Sequence, residues 1–143
     1  MARTICILLI LLCCCNKNDN RHTTDESVSS CKHKYDKHLE KYIYEEVDKP
    51  PEFPGGLAAF ARLFFSRFEY PAAEKSLQRT IYFTFVVNNN GELIDKKIAD
   101  KTPENMTLID KEALRVLESM PKWHPGKCNG HTVAVRYFIP LRF

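Results

Sequence analysis

The sequence predicts an α+β fold of two layers, a three-stranded antiparallel sheet of strand order 2-1-3 packed by two helices. Three observations carry this. Thr80–Val87 is β-branched and aromatic almost throughout. In residues 132–143, Val133, Val135, Tyr137, Ile139, Leu141 and Phe143 alternate with a mostly polar set. Two segments, around residues 57–68 and 107–120, carry apolar stripes at helical spacing.

The chain has 143 residues, enough for one domain, with 44% apolar and 27% charged residues, which suits a globular domain rather than a disordered one. The formal charge of +3 is spread without a basic stripe interleaved with aromatics, so a nucleic-acid footprint is not expected.

The N-terminus reads as a targeting segment. Met1-Ala2-Arg3-Thr4 carries one positive charge, Ile5 to Leu12 is apolar, and Cys13, Cys14 and Cys15 precede an abruptly polar stretch. The apolar run is far short of the roughly 20 residues that a spanning helix needs and fits a secretory signal. The boundary resembles the lipobox of bacterial lipoproteins, with Leu12-Cys13-Cys14 before a lipidated Cys15, or Cys14 as the second candidate. The expected organisation is a signal at 1–15, a flexible polar tether at 16–46 and a folded domain at 47–143. The expected place is the periplasm-facing envelope, lipid-anchored, with the outer membrane favoured over the inner.

Within the domain, Pro50-Pro51-Glu52-Phe53-Pro54-Gly55-Gly56 is turn punctuation at the entrance. Leu57, Phe60, Ala61, Phe64 and Phe68 form the stripe of the first helix, which Tyr70-Pro71 should end. In the first strand Ile81, Phe83, Phe85 and Val87 share a face. Tyr82 and Val86 make the other face apolar too, which predicts a central position. Asn88-Asn89-Asn90-Gly91 is a hairpin signal leading to a short strand with Ile94 and Ile98 inward. Thr107 and Asp110 have capping-box spacing before the second helix, whose stripe is Ile109, Ala113, Val116, Leu117 and Met120. The final strand should lie beside the first and form an edge. Pro140 supports this, because proline cannot donate to a ladder, and Arg136 and Arg142 would discourage uncontrolled pairing.

Cys31 and Cys128 are the two cysteines outside the signal region, and an oxidising compartment would permit a disulfide between them. Cys31 with His33 and Cys128 with His131 lack the repeated short spacing of zinc sites, so no metal is assigned. Cys128 and His131 could be read as nucleophile and base, but no third group orients them, and no catalytic residue or cofactor is assigned.

Taken in order, several segments resemble TonB-like C-terminal domains. These are Val47 through Gly56, Tyr70-Pro71, Phe85-Val86-Val87-Asn88, Asn90-Gly91 with Leu93-Ile94, and Asp110-Lys111-Glu112-Ala113-Leu114-Arg115-Val116. They continue with Ser119 through Lys127, Asn129-Gly130, Val135-Arg136-Tyr137 and Ile139-Pro140-Leu141. Arg79 departs from the glycine that many members carry there. The resemblance implies a non-enzymatic module that binds the TonB box of outer-membrane transporters as a strand added to the last strand's edge. Arg136, Phe138, Pro140 and Arg142 are the expected contact residues, and Tyr70 matches the family's box-contacting region. The exposed edge would also allow two copies to pair. Because no spanning helix or proline-rich spacer is read in this chain, an accessory, competitor or adaptor role in transmembrane transport is expected. The alternative is an assembly lipoprotein that uses the same fold to hold another envelope protein or the cell wall.

Overall fold

The computed structural model describes residues 31–73 and 79–143. The expected signal, the lipobox cysteines Cys14 and Cys15, and the tether up to residue 30 lie outside them. The elements are β1 (Lys32–Asp36), β2 (Lys41–Glu46), α1 (Gly56–Arg67), β3 (Thr80–Val87), β4 (Leu93–Ile98), a 3-10 turn (Pro103–Asn105), α2 (Leu108–Glu118), β5 (Gly126–Cys128), β6 (His131–Val133) and β7 (Val135–Arg142).

Both helices cover one face of the sheet, as the two stripes require. Phe60 and Phe64 of α1 and Ile109, Ala113, Val116 and Leu117 of α2 are buried against Ile81, Phe83, Phe85 and Val87 of β3. Thr107 and Asp110 complete a reciprocal capping box at the start of α2. Trp123 packs edge-on against Phe53, Phe60, Phe85 and Tyr137, which ties the corner after α2 to the entrance segment and to the sheet.

The expected three-stranded antiparallel sheet is corrected. The main sheet has five strands in the order β1-β2-β7-β3-β4, and β5 with β6 forms a separate ribbon. The sheet is mixed, because β2 runs parallel to β7. The last strand therefore lies inside the sheet, between β2 and β3, rather than wholly on an edge. The core order survives within it, since β3 does sit between β4 and β7.

The two additional strands come from residues expected to end a tether. The high charge of 31–46 concealed a strand pattern. His33, Tyr35, Tyr42 and Tyr44 share one face of the ribbon, with ring centroids about 5 Å apart. Asp36 accepts hydrogen bonds from the His38 and Leu39 N–H groups at 2.9 and 3.1 Å and so builds the turn. Glu40 completes the turn with a φ of 51°.

Two smaller features follow from local backbone. Ile94 does not join Ile98 in the main core. It packs with Ile43, Val86 and Ala134 on the opposite face, because Asp95 takes a left-handed φ of 49° and the β3–β4 register shifts there. The polar stretch 127–131 forms the tight hairpin of β5 and β6, with Asn129 and Gly130 both at positive φ. Among the described residues, no helix is long and apolar enough to cross a membrane.

Candidate functional site

The hydrogen-bonding direction of β7 follows from its register. β7 pairs antiparallel with β3 from Thr80 opposite Arg142 to Val87 opposite Val135. Just beyond, Arg79 and Phe143 exchange both main-chain bonds, at 3.4 and 2.9 Å. Such mutual pairs alternate along an antiparallel ladder. Leu141, Ile139, Tyr137 and Val135 therefore bond to β3, and Arg136, Phe138 and Pro140 aim their main-chain groups to the other side. That side meets β2 only at the start of β7. Tyr44 pairs with Val135, and its N–H donates to the Ala134 carbonyl at 2.8 Å. Among the described residues no strand pairs with β7 beyond this point. Pro140 fits here because its missing N–H falls on the outer side and costs the β3 ladder nothing.

A groove of about 370 Å³ runs beside this open stretch, between Leu57, Ala58 and Ala61 of α1 and Tyr137 to Leu141 of β7. Leu57 is 53% exposed, so it belongs to the groove rim rather than to the buried stripe expected of it. On the other face of the sheet Phe138, 56% exposed, stacks on Tyr82 with ring centroids 5.5 Å apart. The open edge thus has apolar surface on both sides, and an extended chain laid along it would find a surface for its side chains in both directions.

The remaining expected contacts are placed differently. The Arg136 guanidinium is committed to two carboxylates, donating to Asp95 and to Asp36 at 3.0 Å each. Burial works against the Asp95 charge, but Lys97 and Arg136 outweigh it and hold that carboxyl below its usual range. Asp36 is lowered chiefly by the Leu39 N–H, with His38 and Arg136 assisting. Arg142 lies exposed near the end of the strand. Tyr70 is exposed and rests edge-on against Phe68 at 4.9 Å, which in turn meets Phe143 at 4.8 Å. It therefore stands past the end of β7, outside the groove. Leu57, Ala58, Ala61 and Tyr82 were not singled out as contacts from the sequence. The small alanines on a helix otherwise rich in phenylalanine were the available signal.

Cys31 and Cys128, separated by 97 positions in sequence, are joined by a disulfide with Cα atoms 6.1 Å apart. In this state Cys128 presents no thiol to act as a nucleophile. The Asp48 carboxylate lies beside the two sulfurs and accepts a hydrogen bond from the Asn129 N–H at 2.6 Å.

Residues 66–143, a little over half of the chain, match the family model described as the Gram-negative bacterial TonB protein C-terminal. The chain belongs to this family. No curated protein and no solved structure matches it. The TonB C-terminal family is a non-enzymatic, transport-related domain of the Gram-negative envelope. The matched stretch holds β3, β4, α2 and β7, so the open edge is part of the TonB-like unit. The β1–β2 hairpin and most of α1 precede it.

Proposed function

We propose that this TonB-like domain binds an extended segment of another envelope protein by strand addition to β7 between Phe138 and Arg142, and that the segment is the TonB box of an outer-membrane transporter. One observation carries the reading: the outward main-chain groups of Phe138 and Pro140 lie beside an apolar groove, with no strand among the described residues on them. Five residues of edge span about 17 Å, the reach of a short strand. Main-chain bonds would supply affinity, and the surfaces at Leu57 and Phe138 would select side chains. Arg142 and Tyr70, both toward the C-terminal end of β7, would meet one end of such a segment. Arg136 acts indirectly, by fixing the start of the strand through Asp36 and Asp95. A lipid on Cys15 or Cys14 would hold the domain at one membrane, which suits an accessory, competitor or adaptor in transport.

The test is an amide NMR titration of the full mature chain with synthetic peptides from the N-termini of the host's transporters. Shifts along 136–142 and at Leu57 are expected; a folded domain without shifts at millimolar peptide rejects the proposal. Phe138→Pro removes an N–H on the outer side while sparing the β3 ladder. It should weaken binding at least ten-fold beyond Phe138→Ala, as loss of a main-chain bond plus steric interference implies. Proline at Val135 or Tyr137 would instead strike bonds to β3 and the fold itself.

A further inference from the structure

The β1–β2 hairpin covers the start of the same β7 edge, and its hold there is slight. One parallel pair joins it to β7, at Tyr44 and Val135. Ile43, buried, and Leu39, partly buried, pack with Val86, Ala134 and Ile94. One ion pair, Asp36 with Arg136 at 3.0 Å, completes the contact with β7. Its two legs are fixed differently. The leg that leaves β2 continues into the entrance segment, where Lys49 pairs with Lys127. The other leg, β1, is the outermost strand of the sheet and bonds only to β2 within it. The end of β1 is anchored to the domain by the Cys31–Cys128 disulfide, at the tip of β5. The hairpin also lies outside the stretch that matches the family.

We propose that the hairpin is a strap over the first part of the β7 edge and that the Cys31–Cys128 disulfide is its latch, so that a dithiol reductant lengthens the edge open to a partner strand. This rests on the strand-addition reading above. With the latch closed, the outer edge begins at about Phe138. With the hairpin released, the outward groups of Ala134 and Arg136 join it, an extension of about two hydrogen bonds. The chemistry is ordinary exchange. A thiolate of the reductant attacks the Cys31 sulfur, which is the more exposed of the two, since Cys128 is 7% exposed. Cys128 departs and takes up a proton. The second thiol of the reductant then displaces Cys31, so the reductant leaves as a disulfide and both cysteines leave as thiols.

The experiment has two readouts on the same protein, oxidised and after reduction by a dithiol. The first needs no partner. Amide exchange at Tyr44 should quicken at least ten-fold on reduction, while Phe85 in the ladder centre is unchanged. Unchanged exchange at Tyr44 overturns the latch. The second is the affinity of a synthetic transporter box peptide, expected to rise roughly ten-fold on reduction, as about two added main-chain bonds imply. Equal or weaker affinity of the reduced form also overturns the proposal. A peptide that binds neither form rejects strand addition itself, and the exchange readout still judges the strap. Because reduction could loosen the whole domain, Tyr44→Pro supplies a variant with the disulfide intact. It removes the N–H given to Ala134 and should make the oxidised protein bind as the reduced one does. Binding unchanged from the oxidised wild type counts against the strap.

Discussion

Gly91→Ala is expected to destabilise the domain by about 4 kcal/mol or more, a large share of the usual margin of about 5–15 kcal/mol. Gly91 has a φ of 80°, which a residue with a Cβ adopts at a cost of about 1 kcal/mol. The larger cost is steric. A Cβ built there would lie 2.0 Å from the Trp123 carbonyl oxygen, a main-chain atom that no rotamer change can move aside. The approach is this close because the Trp123 N–H donates to the Gly91 carbonyl at 2.8 Å, and it places the indole within the cluster of Phe53, Phe60 and Phe85. Relieving the clash would move the corner that several core rings share. Gly130 is the control. Its φ is 78°, but nothing lies within 4 Å of its Cβ position, so Gly130→Ala should cost only about 1 kcal/mol. Urea unfolding followed through Trp123 fluorescence measures both, and similar costs for the two would show that backbone conformation rather than the contact decides.

Asp110→Ala is expected to cost about 3 kcal/mol. Asp110 is 1% exposed and is the one buried charged residue among those described. It bonds Lys101, Arg79 at 3.1 Å and the Thr107 N–H at 2.9 Å. Removing it strands two cations and opens the capping box. The usual penalty for breaking a buried pair is about 3–5 kcal/mol, and the lower end applies because Arg79 and Lys101 keep 27% and 29% of their side chains in water. Burial opposes the Asp110 charge, but Lys101, Thr107 and Arg79 outweigh it and hold the carboxyl below its ordinary value of 3.8. The sign follows. With the folded value below the unfolded one, the contribution is complete above the ordinary range and is lost as pH falls from about 4 through the depressed folded value. Asp110→Asn should therefore be clearly less stable than wild type at pH 7, and the gap should close on acidification. Stability curves that stay parallel down to pH 2 would rule this out.

Legibility of the fold tracked the strength of local pattern. β3 announced its central place by being apolar on both faces, and α2 by its capping box and stripe. The hairpin at 31–46 was not legible, because a ribbon with one aromatic face and many lysines and glutamates looks like a solvated segment when its turn is built by a single aspartate. The β4 bulge was hidden because Asp95 at positive φ leaves no mark on periodicity. At the site, Pro140 pointed to an edge and lies on one, although β2 covers its beginning. The contribution of α1 could not be read, since Leu57 fits a core stripe as well as a groove rim. Arg79, where a glycine is common, left the backbone uncertain; the structure instead gives its side chain a carboxylate to hold.

Pro140 also bears on what the edge cannot do. A growing cross-β stack requires each added layer to present donors and acceptors to the next along the whole strand. Here the middle of the open stretch can only accept, so one short strand can seat on it, but a row of identical edges cannot zip together across that gap. At the high local concentration of a crowded envelope, the missing N–H of Pro140 would hinder neighbouring copies from polymerising through this edge.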